Sequence, residues 1–436
     1  MKQTEAYVTL ARSQCKAKFF IILMAILIIS NSGNSNAQLP DFMNRLSGGR
    51  VMNKNFKEVV DFTLVDNRIC LKARINDYEQ ELSFILDTYA ICLIREGLVN
   101  KLNLDILDCT RELGEKFENT IMRPLFPKYH KINIGSVVFE DIGSMVMKET
   151  MDNPLLYVLE DGLIGANLMK SCIWQIDFRE NKLIMTDQID KFDNLKDAIQ
   201  LSFKPMPLQG SPTIQVVLNG KETVDVQFDT GGNGFLSFLS PALKSEVESG
   251  RGVAWHVKLA IPVNKEESTG IETHYFVKLK TLEIGSKTFK DIPIAVYNPS
   301  NENLMNKGSI GIEFLKNFIV TLDWLENKIY LTPIEGRDLK QNIRTFGFSY
   351  GYEDGAMRVK SIYEGSEAEK SGIKIGDRIF SINGHDIEDL SDTQVKKFRY
   401  GDLEFSKEED ENITIEVLIG GQRKKIKLKA YNLFLD

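Results

Sequence analysis

The chain has 436 residues, which at roughly 150 residues per domain suggests about three domains. Apolar residues make up 43% and charged residues 26%, with 31 glycines and 12 prolines, so a collagen-like, low-complexity or disordered chain is excluded. The formal charge of −7, from 61 acidic against 54 basic residues, offers no footprint for a phosphate backbone and argues against nucleic acid as a partner.

In chain order, Lys2, Arg12, Lys16 and Lys18 precede an apolar run from Phe19 to Ile29, and the small residues Ser35-Asn36-Ala37 follow. That order reads as a secretory signal over residues 1–37, cut after Ala37, which makes the protein an exported one, periplasmic or extracellular. The 11 apolar residues are about half of a bilayer span, so no stable membrane span is expected after the cut. An uncleaved anchor is the alternative. The cut carries off four basic residues and one acidic one, taking the net charge from −7 to −10.

Cys70, Cys92, Cys109 and Cys172 remain. An oxidising compartment permits one or two disulfides among them, and buried free thiols are the alternative. No Cys-x-x-Cys occurs, and His130, His256, His274 and His385 are scattered, so spacing proposes no metal site and no cofactor is expected.

An internal repeat organises the middle of the chain. Gly162 to Thr186 aligns without gaps on Gly308 to Thr332, with ten of 25 positions identical at an offset of 146. Ile134-Gly-Ser-Val-Val-Phe-Glu-Asp141 matches Ile284-Gly-Ser-Lys-Thr-Phe-Lys-Asp291, and Leu82–Thr88 matches Val224–Thr230. Three blocks recur in one order, so the middle is two copies of one unit. The blocks read as strands. Asn219-Gly220 is a two-residue hairpin signal, Asp177–Asn181 and Asp323–Asn327 are polar hairpin tips, and one short helix is expected at Ala166–Lys170 and at Ile312–Lys316. The stretch Pro333–Asn342 is polar and reads as a linker.

Each copy places Asp-Thr directly after an apolar strand, in Leu86-Asp87-Thr88-Tyr89-Ala90 and in Phe228-Asp229-Thr230-Gly231-Gly232, and an apolar-Gly block follows about 75–80 residues later. Asp392-Thr393 lacks that context. The whole pattern over about residues 51–335 resembles the pepsin-like and retroviral-type aspartic proteases. The resemblance implies a mainly β fold of two tandem β-barrel lobes, 51–190 and 200–335, forming a pseudo-dimer. It implies a catalytic dyad of Asp87 and Asp229, supported by Thr88, Thr230 and Gly231. Two carboxylates held close cannot both ionise easily, so one keeps a proton, and the pair can activate a water against a peptide carbonyl. Polypeptides are the implied substrates. Tyr89 stands where the family keeps glycine. If that position needs positive φ, a side chain costs roughly 1–2 kcal/mol. Tyr89 therefore leaves two readings, an active protease with the phenol beside the cleft, or a lobe that has kept its fold and lost catalysis in a peptide-binding protein.

Residues 343–430 form a third unit. Gly365-Ser366, Ala368, Gly372, Gly376-Asp377 and Ile382-Asn383-Gly384 together resemble a PDZ domain, an α/β module, with a helix at Ser366–Ser371 and a closing hairpin around Gly420-Gly421. Phe346, Gly347 and Phe348 sit where that family binds a peptide C-terminus through backbone N–H groups, with Thr345 in place of the first loop glycine. Peptide C-termini are thus expected partners, with a purely structural module as the alternative, and a monomer is expected. Gly347-Phe-Ser-Tyr-Gly351 also satisfies G-x-S-x-G, but the next segment is strand-like and only His385 follows, which rejects a nucleophile elbow.

Overall fold

The computed structural model describes residues 41–434 except 66, 119, 151–155, 157–158, 233, 240–242, 244–245, 247–251, 259–270, 297–307, 338, 340–341, 354, 400–402 and 408–409. The signal expected over 1–37 lies outside the described residues. The fold is mainly β.

In the first copy the strands include β1 (Arg68–Ile75), β2 (Leu82–Asp87), β3 (Leu93–Arg95), β4 (Leu125–Ile134), β5 (Val137–Gly143), β6 (Gly162–Gly165), β7 (Ile173–Asp177) and β8 (Lys182–Thr186), with shorter strands completing its sheets. The second copy follows as β9 (Pro212–Leu218), β10 (Glu222–Phe228), β11 (Leu236–Phe238), β12 (Gly252–Lys258), β13 (Ile271–Ile284), β14 (Lys287–Val296), β15 (Gly308–Ile310), β16 (Phe318–Asp323) and β17 (Lys328–Pro333). Helices α1 (Ala166–Met169) and α2 (Ile312–Leu315) fall at matched positions, as the repeat predicts.

The matched blocks take matched conformations. Asn219 and Gly220 both have positive φ, 52° and 63°, the demand of a tight two-residue hairpin between β9 and β10. Gly135 and Gly285 share a φ of 58° in the β4–β5 and β13–β14 hairpins. In each copy the apolar-Gly strand lies parallel to the strand that ends at the Asp: β6 on β2, and β15 on β10.

The copies meet in a six-stranded sheet whose central pair is β7 against β16, with Gln175 facing Thr321. Those two are matched repeat positions, and antiparallel pairing about matched positions is what a local two-fold axis requires. Gln175 Nε2 donates to Thr321 Oγ1 at 2.8 Å, so the polar pair at this buried centre is satisfied. One apolar core runs through both copies and includes Trp174, Phe228, Phe314 and Leu322. The expected linker begins tied down: Ile334 is buried and its N–H donates to Asn317 O, while Arg337 Nη2 donates to Phe178 O at 3.2 Å.

The four cysteines among the described residues, Cys70, Cys92, Cys109 and Cys172, are free thiols, which answers the open question of disulfides among them in favour of unpaired cysteines. Cys92 and Cys172 are fully buried, and burial pushes both thiols up, Cys92 to about 12.

The C-terminal module contains β18 (Phe348–Glu353), β19 (Ala356–Tyr363), α3 (Glu367–Lys370), β20 (Ile379–Ile382), α4 (Asp392–Arg399), β21 (Asn412–Ile419) and β22 (Gln422–Lys429). It has its own apolar core, including Met357, Val359, Ile382 and Val417. It is also stitched to the second copy, because β12 pairs with β19 through Trp255↔Tyr363, His256↔Ile362 and Val257↔Ser361. A single ten-stranded sheet therefore runs from the short strand Lys204–Pro205 through β9 and β10 to β18. Trp255 stacks on Phe276 at 4.9 Å, and Phe276 stacks on Tyr363 at 6.0 Å, over a cluster completed by Val257, Ala295 and Leu433. His274 is buried beside Trp255, and burial pushes its imidazole down to about 4.

Candidate functional site

β2 is buried at every residue and ends on Asp87, while β10 buries every second residue and delivers Asp229 directly after Phe228. Both carboxylates are buried, Asp87 at 1% and Asp229 at 3% exposure. The two loops are cross-linked by their threonines. Thr88 Oγ1 donates to Phe228 O at 2.6 Å and Thr230 Oγ1 to Leu86 O at 3.3 Å. Each hydroxyl also accepts the opposite N–H, Thr230 N–H to Thr88 Oγ1 at 3.0 Å and Thr88 N–H to Thr230 Oγ1 at 3.1 Å. Four reciprocal bonds between fully buried groups leave the loops little freedom to separate.

Within each loop the carboxylate folds back on its own backbone. Tyr89 N–H donates to Asp87 Oδ1 at 2.8 Å, and Gly231 N–H donates to Asp229 Oδ1 at 3.0 Å. Gly231 is where the two acids meet. Its N–H holds Asp229, and a Cβ built on it would overlap Asp87 Oδ2 and Cγ and stand 2.8 Å from Asp87 Cβ. Asp87 and Asp229 thus flank one glycine, with Thr88, Thr230 and Gly231 in contact with one or both of their loops.

Behind the loops, Gly165 and Gly311 need to be glycine for the same reason in each copy. A Cβ on Gly165 would stand 2.6 Å from Cys92 N, and one on Gly311 2.9 Å from Gly232 O. Ala166 N–H donates to Ala90 O at 2.8 Å and Ile312 N–H to Gly232 O at 2.7 Å, so α1 and α2 brace the Asp loops identically.

The condition under which Tyr89 would strain the backbone is not met. Neither Tyr89 nor Gly231 adopts positive φ, so Tyr89 carries no left-handed penalty. What distinguishes the positions is space: Gly231 lies against Asp87, whereas Tyr89 packs on Met206, at 7% exposure.

Several site residues escape the sequence reading. Arg68, buried at the start of β1, sends Nε to Gly231 O at 3.2 Å across the copy boundary. Beside it Asn67 Nδ2 donates to Glu313 Oε1 at 2.7 Å, and Lys316 Nζ pairs with the same oxygen at 2.6 Å. A signal for Glu313 does exist: it is a lone acid inside the apolar block Gly308-Ser-Ile-Gly-Ile-Glu-Phe-Leu, aligned on Asn167 in the first copy. Asn167 is likewise buried and bonded, accepting Cys92 N–H at 2.9 Å and donating to Gly143 O at 2.8 Å.

In the C-terminal module Gly347 has a φ of +86°, and a Cβ there would lie 2.5 Å from Ser366 Cβ, so both torsion and space require glycine. Thr345 Oγ1 accepts the Gly347 N–H at 3.0 Å, which shows what the threonine does in place of a glycine. Phe348 is buried and Phe346 half-buried, flanking that N–H. Ser366 caps α3 by accepting Glu369 N–H at 3.1 Å, while Glu369 Oε2 accepts the N–H of Gly365, the residue before that cap, at 2.7 Å. β18 ends the strand order of the ten-stranded sheet, so one of its edges faces no described strand. Beside it, Tyr350 stacks on Phe398 of α4 at 6.1 Å and bonds Ser406 at 2.8 Å.

A family model described as PDZ domain matches residues 338–401. The C-terminal module is therefore a PDZ domain, a class that binds peptide C-termini by adding a strand to a sheet edge. No curated protein matches the chain.

Proposed function

We propose that the chain is an aspartic endopeptidase whose two repeat copies are pepsin- or retropepsin-like lobes of a pseudo-dimer, sharing the dyad Asp87 and Asp229, and that the PDZ domain assists recognition of polypeptide substrates. The observation that carries this reading is the meeting of both carboxylates on Gly231 across the reciprocal Thr88–Thr230 bonds. In the proposed reaction one carboxylate takes a proton from the attacking water, while its protonated partner donates to the scissile carbonyl as the tetrahedral centre forms. We place the activity outside the cytoplasm, following the signal read over 1–37.

The test is to assay residues 38–436 on an unfolded polypeptide from pH 3 to 8 beside Asp229→Asn and Asp87→Asn. Either substitution is expected to lower cleavage by about a thousandfold or more. Equal cleavage by parent and variants overturns the reading. A second reading, peptide binding without hydrolysis, draws on the PDZ match and on Tyr89 in the first loop. It predicts that the parent itself cleaves nothing while binding peptides through the PDZ edge.

A further inference from the structure

In the first copy the chain's own residues 41–53 cover the β4–β5 hairpin. Helix Asp41–Ser47 buries Phe42, Met43 and Leu46, and strand Arg50–Val51 pairs with the outer edge of β5 through Arg50↔Glu140 and Val51↔Phe139. Met52 N–H then donates to Val138 O at 2.9 Å, and Val138 N–H donates to Asn53 Oδ1 at 2.8 Å. Both main-chain groups of Val138 are thus satisfied from outside the hairpin.

The matched hairpin of the second copy, β13–β14, keeps the same register. Thr288 faces Glu283 as Val138 faces Asn133, and Asp291 repeats the positive φ of Asp141, 54° against 58°. By that register Thr288 N–H and C=O point to the outer edge of β14, yet no described strand pairs with them there. The contact of β14 with β11 begins farther along, at Ala295. The burial of the two edges differs accordingly. Val137 and Phe139 are buried and Val138 and Glu140 half-buried, whereas Lys287, Thr288 and Lys290 are exposed and Phe289 is half-buried.

A groove of about 760 Å³ lies along this bare edge, lined by Phe289, Ile292 and Phe318 and by Lys287, Lys290 and Arg337. Its charge is the inverse of the covered edge. Arg50 Nη2 meets Glu140 Oε2 at 3.0 Å in the first copy, and the residue matched to Glu140 is Lys290. Whatever fits the second edge in the same way needs an acid where the covering segment has Arg50. Edge lysines also keep a second, like edge away, while they attract an acidic strand.

We propose that this groove is a docking site for an extended acidic segment of a partner polypeptide, which adds a strand to the outer edge of β14 with a carboxylate opposite Lys290 and an apolar side chain opposite Phe289. The site shares no residue with the Asp loops or with the PDZ loop, and it does not rest on the endopeptidase reading.

The test uses two fluorescent peptides, one copying residues 41–53 and one copying them with Arg50→Glu. Both are amidated at the C-terminus, which leaves the PDZ loop no carboxylate to receive. By anisotropy at low salt, the Arg50→Glu peptide is expected to bind the purified chain about fivefold or more tighter than the unchanged one. Its binding should weaken by about threefold or more between roughly 50 and 300 mM salt. Lys290→Glu, an exposed position, should reverse the order of the two peptides, and the acidic peptide should slow hydrogen exchange at the Thr288 amide of the parent.

Binding of neither peptide, an order that ignores Lys290→Glu, or a Thr288 amide that exchanges as before overturns the proposal. So does a concentration-dependent dimer that Lys290→Glu disperses, because the occupant is then a second copy of this chain.

Discussion

The two copies share strands, hairpins and helices position by position, yet they spend their outer edges differently. The first copy keeps its eleven-stranded sheet to itself, whereas the second continues its sheet through β12 into the PDZ strands β19 and β18. Their inner loops differ too, with Gly231-Gly232 against Tyr89-Ala90. The second copy therefore carries the PDZ domain on the edge of its own sheet, while the sheet of the first copy ends within that copy.

The junction is the place to break this comparison most severely. Trp255 is 3% exposed and stacks on Phe276 and Tyr363, so Trp255→Ala is expected to cost about 3–5 kcal/mol. Urea denaturation of the parent is expected to show the PDZ domain and the second copy unfolding in one transition, and the variant to show two. A parent that already unfolds in two steps would mean that the shared sheet does not couple them.

Next in size is a contrast between single positions in the two loops. Gly231→Ala adds one carbon where Asp87 already sits, and under the proposed endopeptidase reading is expected to lower cleavage by about 100-fold through misplacement of the pair. Tyr89→Ala removes a whole ring packed on Met206 but keeps the N–H on Asp87, and is expected to cleave within about tenfold of the parent while losing about 2–4 kcal/mol of stability. Measured kcat/KM and urea midpoints for the two variants separate space at the dyad from packing beside it. The opposite ranking would place Tyr89, not Gly231, at the chemistry.

Much of this was readable beforehand, and the parts that were not share a physical cause. The repeat blocks, the hairpin at Asn219-Gly220 and the short helices follow from local pattern, because each depends on residues adjacent in the chain. The cross-linking of Thr88 and Thr230 was legible only through resemblance, since it joins residues 142 apart. Arg68, Asn67 and Met206 were invisible because their partners lie across the copy boundary and no local spacing marks them. Whether Tyr89 strains the backbone was not legible, because the sequence shows that glycine is missing, not whether torsion or space made glycine useful there.

The junction also gives the second copy a pH sensitivity with no counterpart at the matched site of the first. His274 is buried beside Trp255 and is held down to about 4 from an ordinary 6.5 by burial. Between those values the unfolded chain binds a proton that the folded chain refuses. Stability is therefore full above about pH 6.5 and falls with acidification, by about 2 kcal/mol at pH 5. Urea midpoints from pH 7 to 4.5 should show this slope, and His274→Phe should flatten it. An unchanged slope in the variant would move the effect to other groups.

The smallest effect concerns how ready the PDZ loop is for a ligand. Thr345 Oγ1 occupies the Gly347 N–H at 3.0 Å, in the loop where a peptide carboxylate would be received. An arriving carboxylate must displace that hydroxyl and so gains only the difference between two hydrogen bonds, one charged and one neutral. Thr345→Gly leaves the N–H open to solvent, and is expected to tighten binding of a C-terminal peptide by about threefold to tenfold, partly offset by the added freedom of glycine. Fluorescence anisotropy with a labelled peptide reads this directly, and an amidated peptide should lose the gain, because without a carboxylate the freed N–H has no charged acceptor to meet. Equal affinity in parent and variant would mean that Gly347 N–H does not face the ligand, and that the second lobe carries its PDZ domain as structure.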